Sequence, residues 1–381
     1  MSDRAKGVER HLDLVSMGCR WVLDVSELDD AAAAETTQRW QRCVELASVA
    51  TPVIEDDPQM LTVSATAKAY DLSRELTRKG LMRLRGQVTL LHAAALADPD
   101  GRALVLVAPS GGGKSTATRV LGQRLGYVSD ETVVLLDDHR IAPHPKPPSL
   151  VIDPQDRSRK NEPPPDELGL GPTPGSPRLG RLVTLAREDS VTEPAIEEVG
   201  LIDQLLAILP ETSSTWLVPG GLDRLARAAS AGGPPARLHY AEIDTCHDLV
   251  RSHLAAPAAP APEWEHLPPD EARRQTGEHP DLATADDDGL AGDELAGDLR
   301  LTRAPWSDAV AQDGEVLVLA GSRPLRLAGA GAVIWRAADA PATVDALVAA
   351  VVDALGDHPD AGALVRAAAA DLLHHGALAL A

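Results

Sequence analysis

A glycine-rich segment, Ala-Pro-Ser-Gly-Gly-Gly-Lys-Ser-Thr, spans residues 108–116. Only a tight glycine-rich turn lets several backbone N–H groups point at one phosphate chain. Lys114 then contacts the β- and γ-phosphates, and Ser115 gives its hydroxyl to Mg²⁺. The strict pattern begins with glycine, whereas Ala108 stands here, but its other fixed residues are kept. The segment therefore predicts a binding site for ATP and Mg²⁺.

The elements on either side of the glycines must position this loop. An apolar run over 103–108 predicts a strand that leads into the loop, and residues 115–126 have the composition of a helix. Strand, glycine-rich turn and helix form the context that the motif needs, and the helix adds its positive N-terminal dipole. Thr116 is predicted to cap that helix. The residues predicted to bind the nucleotide are Ser110, Gly111, Gly112, Gly113, Lys114, Ser115 and Thr116.

Two adjacent acids follow the next predicted strand, 127–129. In such a pair one carboxylate can hold Mg²⁺ while the other accepts the proton of an attacking hydroxyl, which makes Asp130 and Glu131 candidates for these two roles. The alternative for both is a solvated turn between strands. His92 lies on an apolar strand, where a single histidine is usually a hydrogen-bonded core residue.

The order and spacing of His92, the glycine-rich loop and the acidic pair resemble the HPr serine kinase catalytic domain over residues 87–250. The resemblance implies an α/β P-loop kinase fold, related to ATP-dependent phosphoenolpyruvate carboxykinase, and phosphorylation of a serine hydroxyl on a protein or precursor peptide. It implies that Asp130 is the base, Glu131 a magnesium-side acid and His92 a phosphate-side contact, with Lys114 completing the catalytic set. The family pair is usually Asp-Asp, so Glu131 is a departure, and the segment with which the family grips its acceptor is not recognisable.

Two other features near this site have two interpretations each. The Pro-rich stretch 143–177 predicts a long loop, which beside a nucleotide site is either a mobile substrate-gripping element or a disordered segment. Arg178, Arg181 and Arg187 stand where an arginine could reach the transferring phosphate, or they are solvated surface charges.

Composition shifts predict four parts. A linker is expected where a Pro/Ala stretch is followed by acidic residues that include Asp286, Asp287 and Asp288, because such a composition buries too little apolar surface to fold. The parts are a small α/β region at 1–86, the P-loop domain at 87–254, the linker at 255–298 and a small domain at 299–381.

The last part has a strand pair, the segment 331–335 ending in Ile-Trp, a helix start at Thr343 and a closing Leu-x-x-x-Gly-x-Leu at 372–378. These features resemble the PqqD-like peptide-recognition domain. The resemblance implies a winged-helix-like α+β fold that binds the leader of a precursor peptide as an added strand. The expected edge is the 315–319 strand, with the 361–375 helix as the groove wall.

Side chains of this domain have simpler interpretations. Trp335 is expected in the core, Thr343 as a helix N-cap, and the helix 343–355 as largely buried, because its apolar residues cover more than one face. A winged helix that binds DNA is the rival, but helix 361–375 carries a single arginine, Arg366.

Bulk properties exclude several classes. The 381 residues carry 36 Lys and Arg against 57 Asp and Glu, a net charge of −21 that repels nucleic acid. Three cysteines without a CxxC pair disfavour zinc or disulfides and fit a reducing cytoplasm. No apolar run reaches membrane-spanning length, and the polar start is no signal peptide. We therefore expect a soluble cytoplasmic protein.

These features together predict an ATP-dependent kinase that modifies a Ser or Thr of a ribosomally synthesised precursor peptide, with the leader bound by residues 299–381. Two alternatives stay open: an ATP-binding scaffold that recognises the leader without phosphotransfer, and a carboxylate-activating enzyme that forms an acyl phosphate. The precursor, its acceptor residue, the nucleotide preference and the formation of a homo-oligomer are also open.

Overall fold

The computed structural model describes residues 10–66, 68–151, 160–275 and 295–381 of a mixed α/β chain. The chain forms two compact units, Met1–Ser213 with Arg227–Ala261, and Ser214–Ala226 with Pro262–Ala381. The acidic run Asp286–Asp288 lies outside the described residues. In the described part of the chain no helix is long and apolar enough to cross a membrane.

The α-helices of the described residues have these bounds: α1 (Asp30–Leu46), α2 (Ala69–Leu84), α3 (Lys114–Leu121), α4 (Leu201–Ile208), α5 (Gly221–Ala229), α6 (His247–Ala255), α7 (Gly329–Ala337), α8 (Val344–Leu355) and α9 (Ala361–His374).

The strands have these bounds: β1 (His11–Ser16), β2 (Cys19–Asp24), β3 (Glu55–Thr62), β4 (Thr89–Leu91), β5 (Ala93–Ala97), β6 (Arg102–Val107), β7 (Gly126–Ser129), β8 (Val133–Leu135), β9 (Ile141–Ala142), β10 (Leu150–Val151), β11 (Lys160–Asn161), β12 (Arg178–Arg187), β13 (Ala195–Glu198), β14 (Thr212–Ser213), β15 (Ala236–Tyr240), β16 (Glu265–His266), β17 (Arg300–Arg303), β18 (Asp308–Gln312), β19 (Glu315–Ala320), β20 (Arg323–Leu327), β21 (Ala342–Thr343) and β22 (Leu378–Leu380).

The first unit is built around a six-stranded sheet in the order β13-β15-β12-β6-β5-β7. Strands β6 and β15 both run parallel to β12, whereas β5 is antiparallel to β6. Five of the six residues of β6 are buried, as expected for a strand covered on both faces. Because parallel strands end at the same edge, the residues that follow β6, β12 and β15 lie on one side of this sheet.

The first unit also contains the smaller sheets β1-β2-β3, β10-β11 and β14-β4-β8-β9, with α1 and α2 among its helices. The sheet β1-β2-β3 packs with α1 and α2 around Trp21 and Trp40, large side chains in an aliphatic core. Helix α1 begins after Asp29, whose carboxylate accepts a hydrogen bond from the Ala32 N–H at 2.8 Å. The sheet β14-β4-β8-β9 places His92 and the acidic pair at its strand ends, since these residues flank β4 and β8.

The second unit contains the sheets β16-β18-β19-β20 and β21-β17-β22 together with helices α7, α8 and α9. Trp335 is fully buried in its core, as predicted from the sequence. The predicted N-cap is also confirmed, because the Thr343 hydroxyl accepts from the Ala346 N–H at 3.2 Å. Helix α9 ends before Gly376, whose φ of 68° gives the left-handed C-terminal turn.

Three sequence predictions for this unit are wrong. Strand β19, the predicted 315–319 edge, is paired with β18 and with β20, so it is not an edge. The predicted linker is partly ordered, because Glu265–His266 pairs with β18 and Leu295 is 2% exposed in the core. Helix α8 buries only Val344, Leu347 and Val351, since the remaining apolar residues are small or lie on its outer faces.

The predicted loop 143–177 is ordered over its described residues. Residues 143–148 are buried, and Leu150–Val151 pairs with Lys160–Asn161. The high proline content excludes long regular elements but not burial. Residues 152–159 lie outside the described part.

Candidate active site

A cleft of about 710 Å³ in the first unit brings the predicted loop and the acidic pair together. Its lining includes residues that the sequence predicted and others that it did not. The lining residues are His92, Pro109, Ser110, Gly111, Gly113, Lys114, Ser115, Thr116, Arg119, Asp130, Glu131, Ser149, Leu150, Val151 and Lys160.

The glycine-rich loop has the backbone that its sequence predicts. Gly111 and Gly113 have φ angles of 82° and 94°, which glycine adopts without strain. A Cβ on Gly112 would lie 2.8 Å from the Cβ of Ala108, so this glycine allows close approach within the loop. Helix α3 begins at Lys114, directly after the loop, and its first N–H groups therefore face the same site.

Two details of this helix differ from the prediction. Gly113 is the N-cap residue, so Thr116 lies in the first turn and not at the cap. The helix ends at Leu121 instead of Gly126. Gly122 is its C-cap residue: its N–H still donates to the Thr118 carbonyl, whereas its own carbonyl accepts from the Gly171 N–H at 2.7 Å.

Lys114 is 6% exposed and donates to loop carbonyls. Its Nζ donates to the carbonyl of Ala108 and lies 3.3 Å from that of Pro109. Glu211 faces it at 3.9 Å. Burial lowers the pKa of Lys114, whereas Glu211 and Glu131 partly restore it. The ammonium is thus desolvated and held on the loop carbonyls.

Asp130 follows β7, as predicted, and its side chain is 3% exposed. Its Oδ1 lies 2.9 Å from the Tyr127 hydroxyl and 3.2 Å from the Nζ of Lys146. Among the described residues, its Oδ2 has two longer contacts, 3.4 Å to the Ser149 N–H and 3.5 Å to the Nζ of Lys146. One carboxylate oxygen is therefore fixed and the other retains capacity to accept a proton.

Glu131 is the more accessible acid, with 43% of its side chain exposed. Its Oε2 lies 3.3 Å from the Nζ of Lys146. Burial raises the pKa of Glu131, but Lys146 and His144 lower it by more than burial raises it. The pKa of Glu131 therefore lies below its ordinary value. Glu131 is therefore an anion at the rim of the cleft.

Sequence reasoning missed Lys146, the cation that joins these acids. Its side chain is fully buried between Asp130 and Glu131. Burial lowers the pKa of Lys146, but the surrounding carboxylates raise it more, so the pKa lies above its ordinary value. The only signal was a lysine within a Pro-rich run, which is also typical of an exposed loop.

Two further buried polar side chains, Glu162 and His144, lie near Lys146. Glu162 is 2% exposed and accepts hydrogen bonds from the hydroxyls of Ser73, at 2.6 Å, and Ser149. His144 is fully buried, with Nδ1 at 2.6 Å from the Ser16 hydroxyl and Nε2 at 3.1 Å from that of Thr77. These bonds connect the Pro-rich stretch to β1 and α2 and fix the position of the acidic pair.

His92 lines the cleft as predicted, between β4 and β5. Partial desolvation and the charge of Lys114 lower the pKa of His92, so the neutral ring is a hydrogen-bonding group and not a cation near neutral pH.

The three candidate arginines are not among the residues that line the cleft. Arg178 donates to the Asp138 carbonyl, Arg181 to the carbonyls of His253 and Pro257, and Arg187 pairs with Glu242. Arg119, on the exposed side of α3, lines the cleft instead. The sequence gave no reason to prefer it, because an arginine on a helix usually faces solvent.

The donor set fits a magnesium ion that is bound mainly through phosphate. Within the described ranges no group of three or more His, Cys, Asp or Glu could hold a metal alone. Mg²⁺ keeps several waters and is commonly bound by one or two carboxylates plus substrate phosphates. The Ser115 hydroxyl and the Glu131 carboxylate, both accessible in the same cleft, meet that requirement.

Comparisons with known proteins give little beyond the chain's own geometry. No protein-family model matches this chain. No curated protein matches it either. Among solved structures, the Hpr(Ser) kinase/phosphatase from Coxiella burnetii is similar to part of it, with 13% identity over 43% of this chain and 89% of that chain, at a TM-score of 0.26. Similarity at this level is too weak to assign a function.

Proposed function

We propose that this chain is an ATP-dependent phosphotransferase that modifies a Ser or Thr hydroxyl of a ribosomally synthesised precursor peptide. One observation supports this most: Lys114 of the phosphate loop and the acids Asp130 and Glu131 line one cleft. A loop alone supports nucleotide binding, whereas transfer also needs a proton acceptor beside the γ-phosphate. The HPr kinase-like resemblance of the sequence agrees with this combination.

In the proposed reaction, the acceptor hydroxyl attacks the γ-phosphorus while the bond to the β,γ-bridging oxygen breaks and ADP leaves. Asp130 accepts the hydroxyl proton at Oδ2, because Oδ1 is engaged by Tyr127 and Lys146. Ser115 and Glu131 would hold Mg²⁺, and the bound ion would neutralise charge on the phosphate oxygens. Lys146 pairs with both acids and holds them in place.

We assign binding of the leader peptide to the second unit, because its sequence has the PqqD-like features. Strand β20 is paired only with β19 among the described residues, so it offers unpaired backbone groups. We assign the added leader strand to β20 instead of β19. The opposite edge is occupied by the chain's own Glu265–His266.

The test is mass spectrometry of a short leader-bearing peptide, which we expect to be encoded beside this chain's gene, after incubation with this chain, ATP and Mg²⁺. We expect a gain of one phosphoryl group that survives hydroxylamine, and its loss in Asp130→Asn. A gain that hydroxylamine removes would identify an acyl phosphate. If the peptide gains no phosphoryl group, and Asp130→Asn still acts fully in the biosynthesis that uses the peptide, the chain is a leader-binding scaffold. Either result would refute hydroxyl phosphorylation.

A further inference from the structure

The hydroxyl of Tyr240 is buried beside the phosphate loop without a hydrogen-bond partner in the described part of the chain. Tyr240 is 2% exposed, and its ring belongs to the same buried cluster as Ala117 and Leu121 of α3. Burial raises the pKa of Tyr240, so the phenol is neutral and can donate one hydrogen bond.

The position of this hydroxyl follows from the sheet. Tyr240 is the last residue of β15, and the loop follows β6, which ends at the same sheet edge. A Cβ added to Gly113 would lie 2.6 Å from the Tyr240 hydroxyl. The hydroxyl therefore lies directly against the left-handed glycine that starts α3.

An unpartnered buried hydroxyl costs about 1–3 kcal/mol, which calls for a compensating role. The hydrogen-bond donors at the loop provide such a role. In the free chain, Lys114 donates hydrogen bonds to the loop carbonyls of Ala108 and Pro109. When Lys114 turns to the phosphates of a bound nucleotide, the Ala108 carbonyl loses this donor, whereas the Pro109 carbonyl keeps the Gly112 N–H at 2.9 Å. The unused donor of Tyr240 lies beside the same loop.

We propose that Tyr240 is a positioning residue of the nucleotide-bound loop, whose hydroxyl donates to a loop carbonyl that Lys114 releases. The hydroxyl has no partner in the free chain and gains one when a triphosphate fills the loop. This inference rests on the nucleotide binding contained in the proposed function, but not on the acceptor or on phosphotransfer.

Tyr240→Phe removes only the hydroxyl. We expect it to raise the melting temperature of the free chain, because an unpartnered group is lost, and to weaken ATP·Mg²⁺ binding by about 2- to 10-fold, the equivalent of one neutral hydrogen bond. Ser230→Ala is the matched control, since its hydroxyl is also buried and unpartnered in the described chain but, unlike that of Tyr240, does not approach Gly112 or Gly113 of the loop. It should raise the melting temperature and leave ATP binding unchanged.

A second background tests the same idea without nucleotide. In Lys114→Met the Ala108 carbonyl has already lost the lysine donor, so Tyr240 should donate to it in the free chain. Tyr240→Phe is then expected to lower the melting temperature, the opposite of its effect in the wild-type background. Unchanged ATP affinity, or a lowered melting temperature in both backgrounds, would overturn the inference. If the wild type binds no ATP, the proposed function fails, while the sign reversal still decides the role of the hydroxyl.

Discussion

Lys146→Met is the perturbation with the largest expected effect on the site. It removes the cation that pairs with the buried Asp130 carboxylate, whose Oδ1 lies 3.2 Å from Nζ. Breaking a buried ion pair by deleting one partner costs about 3–5 kcal/mol, because the remaining charge is left unpaired. The contact to Glu131 adds at most about 1 kcal/mol, since 43% of that side chain is exposed. We therefore expect the first unit to lose about 3–5 kcal/mol of unfolding free energy.

Urea unfolding, monitored by the hydrogen exchange of peptides that contain β7, measures this loss within the first unit. Adding Asp130→Asn should recover part of it, because the unpaired charge is then also removed. Lys160→Met is the control, a partly exposed lysine of the same cleft whose Nζ lies 4.5 Å from the Tyr70 ring centre. It should cost about 1 kcal/mol or less. A loss below about 1 kcal/mol for Lys146→Met, or no recovery in the double variant, would refute the assigned ion pair.

Three further predictions concern stability and binding. Burial lowers the pKa of His144 from 6.5 to about 3, so the unfolded chain binds more protons and the unfolding free energy falls by about 2 kcal/mol from about pH 7 to about pH 5. Urea titrations should show this slope reduced in His144→Gln, and equal slopes would contradict it. Gly113→Ala should abolish ATP binding in calorimetry, because its Cβ would meet the Tyr240 hydroxyl at 2.6 Å and φ is 94°; near-normal binding would show that the loop can adjust. Asp130→Asn should lower phosphotransfer by about 10²-fold or more while ATP binding is kept, and wild-type turnover would remove Asp130 from the proton step.

The sequence predicted the loop and its acids because local rules determine both. Strand composition before the loop, three glycines and the Lys-Ser pair specify a backbone that few other sequences adopt. Asp130 was accessible to the same reasoning, because it follows a short apolar strand that begins at Tyr127.

Residues that join distant segments could not be predicted in this way. Lys146 and Glu162 lie in a Pro-rich stretch without periodicity, and their burial depends on Ser73 and on Asp130, far away in sequence. Strand β16 was missed for the same reason, since two residues pair with β18 through contacts that composition does not encode. Tertiary pairing, and not local propensity, decides such positions.

The most direct test of phosphotransfer is the mass of the leader-bearing peptide that we expect to be encoded beside this gene, after incubation with ATP, Mg²⁺ and either the wild-type chain or Lys114→Ala. We predict one added phosphoryl group on a Ser or Thr with the wild type, and none with Lys114→Ala, because the loop then lacks its phosphate-binding cation. No mass gain with the wild type, or the same gain with Lys114→Ala, would contradict the account.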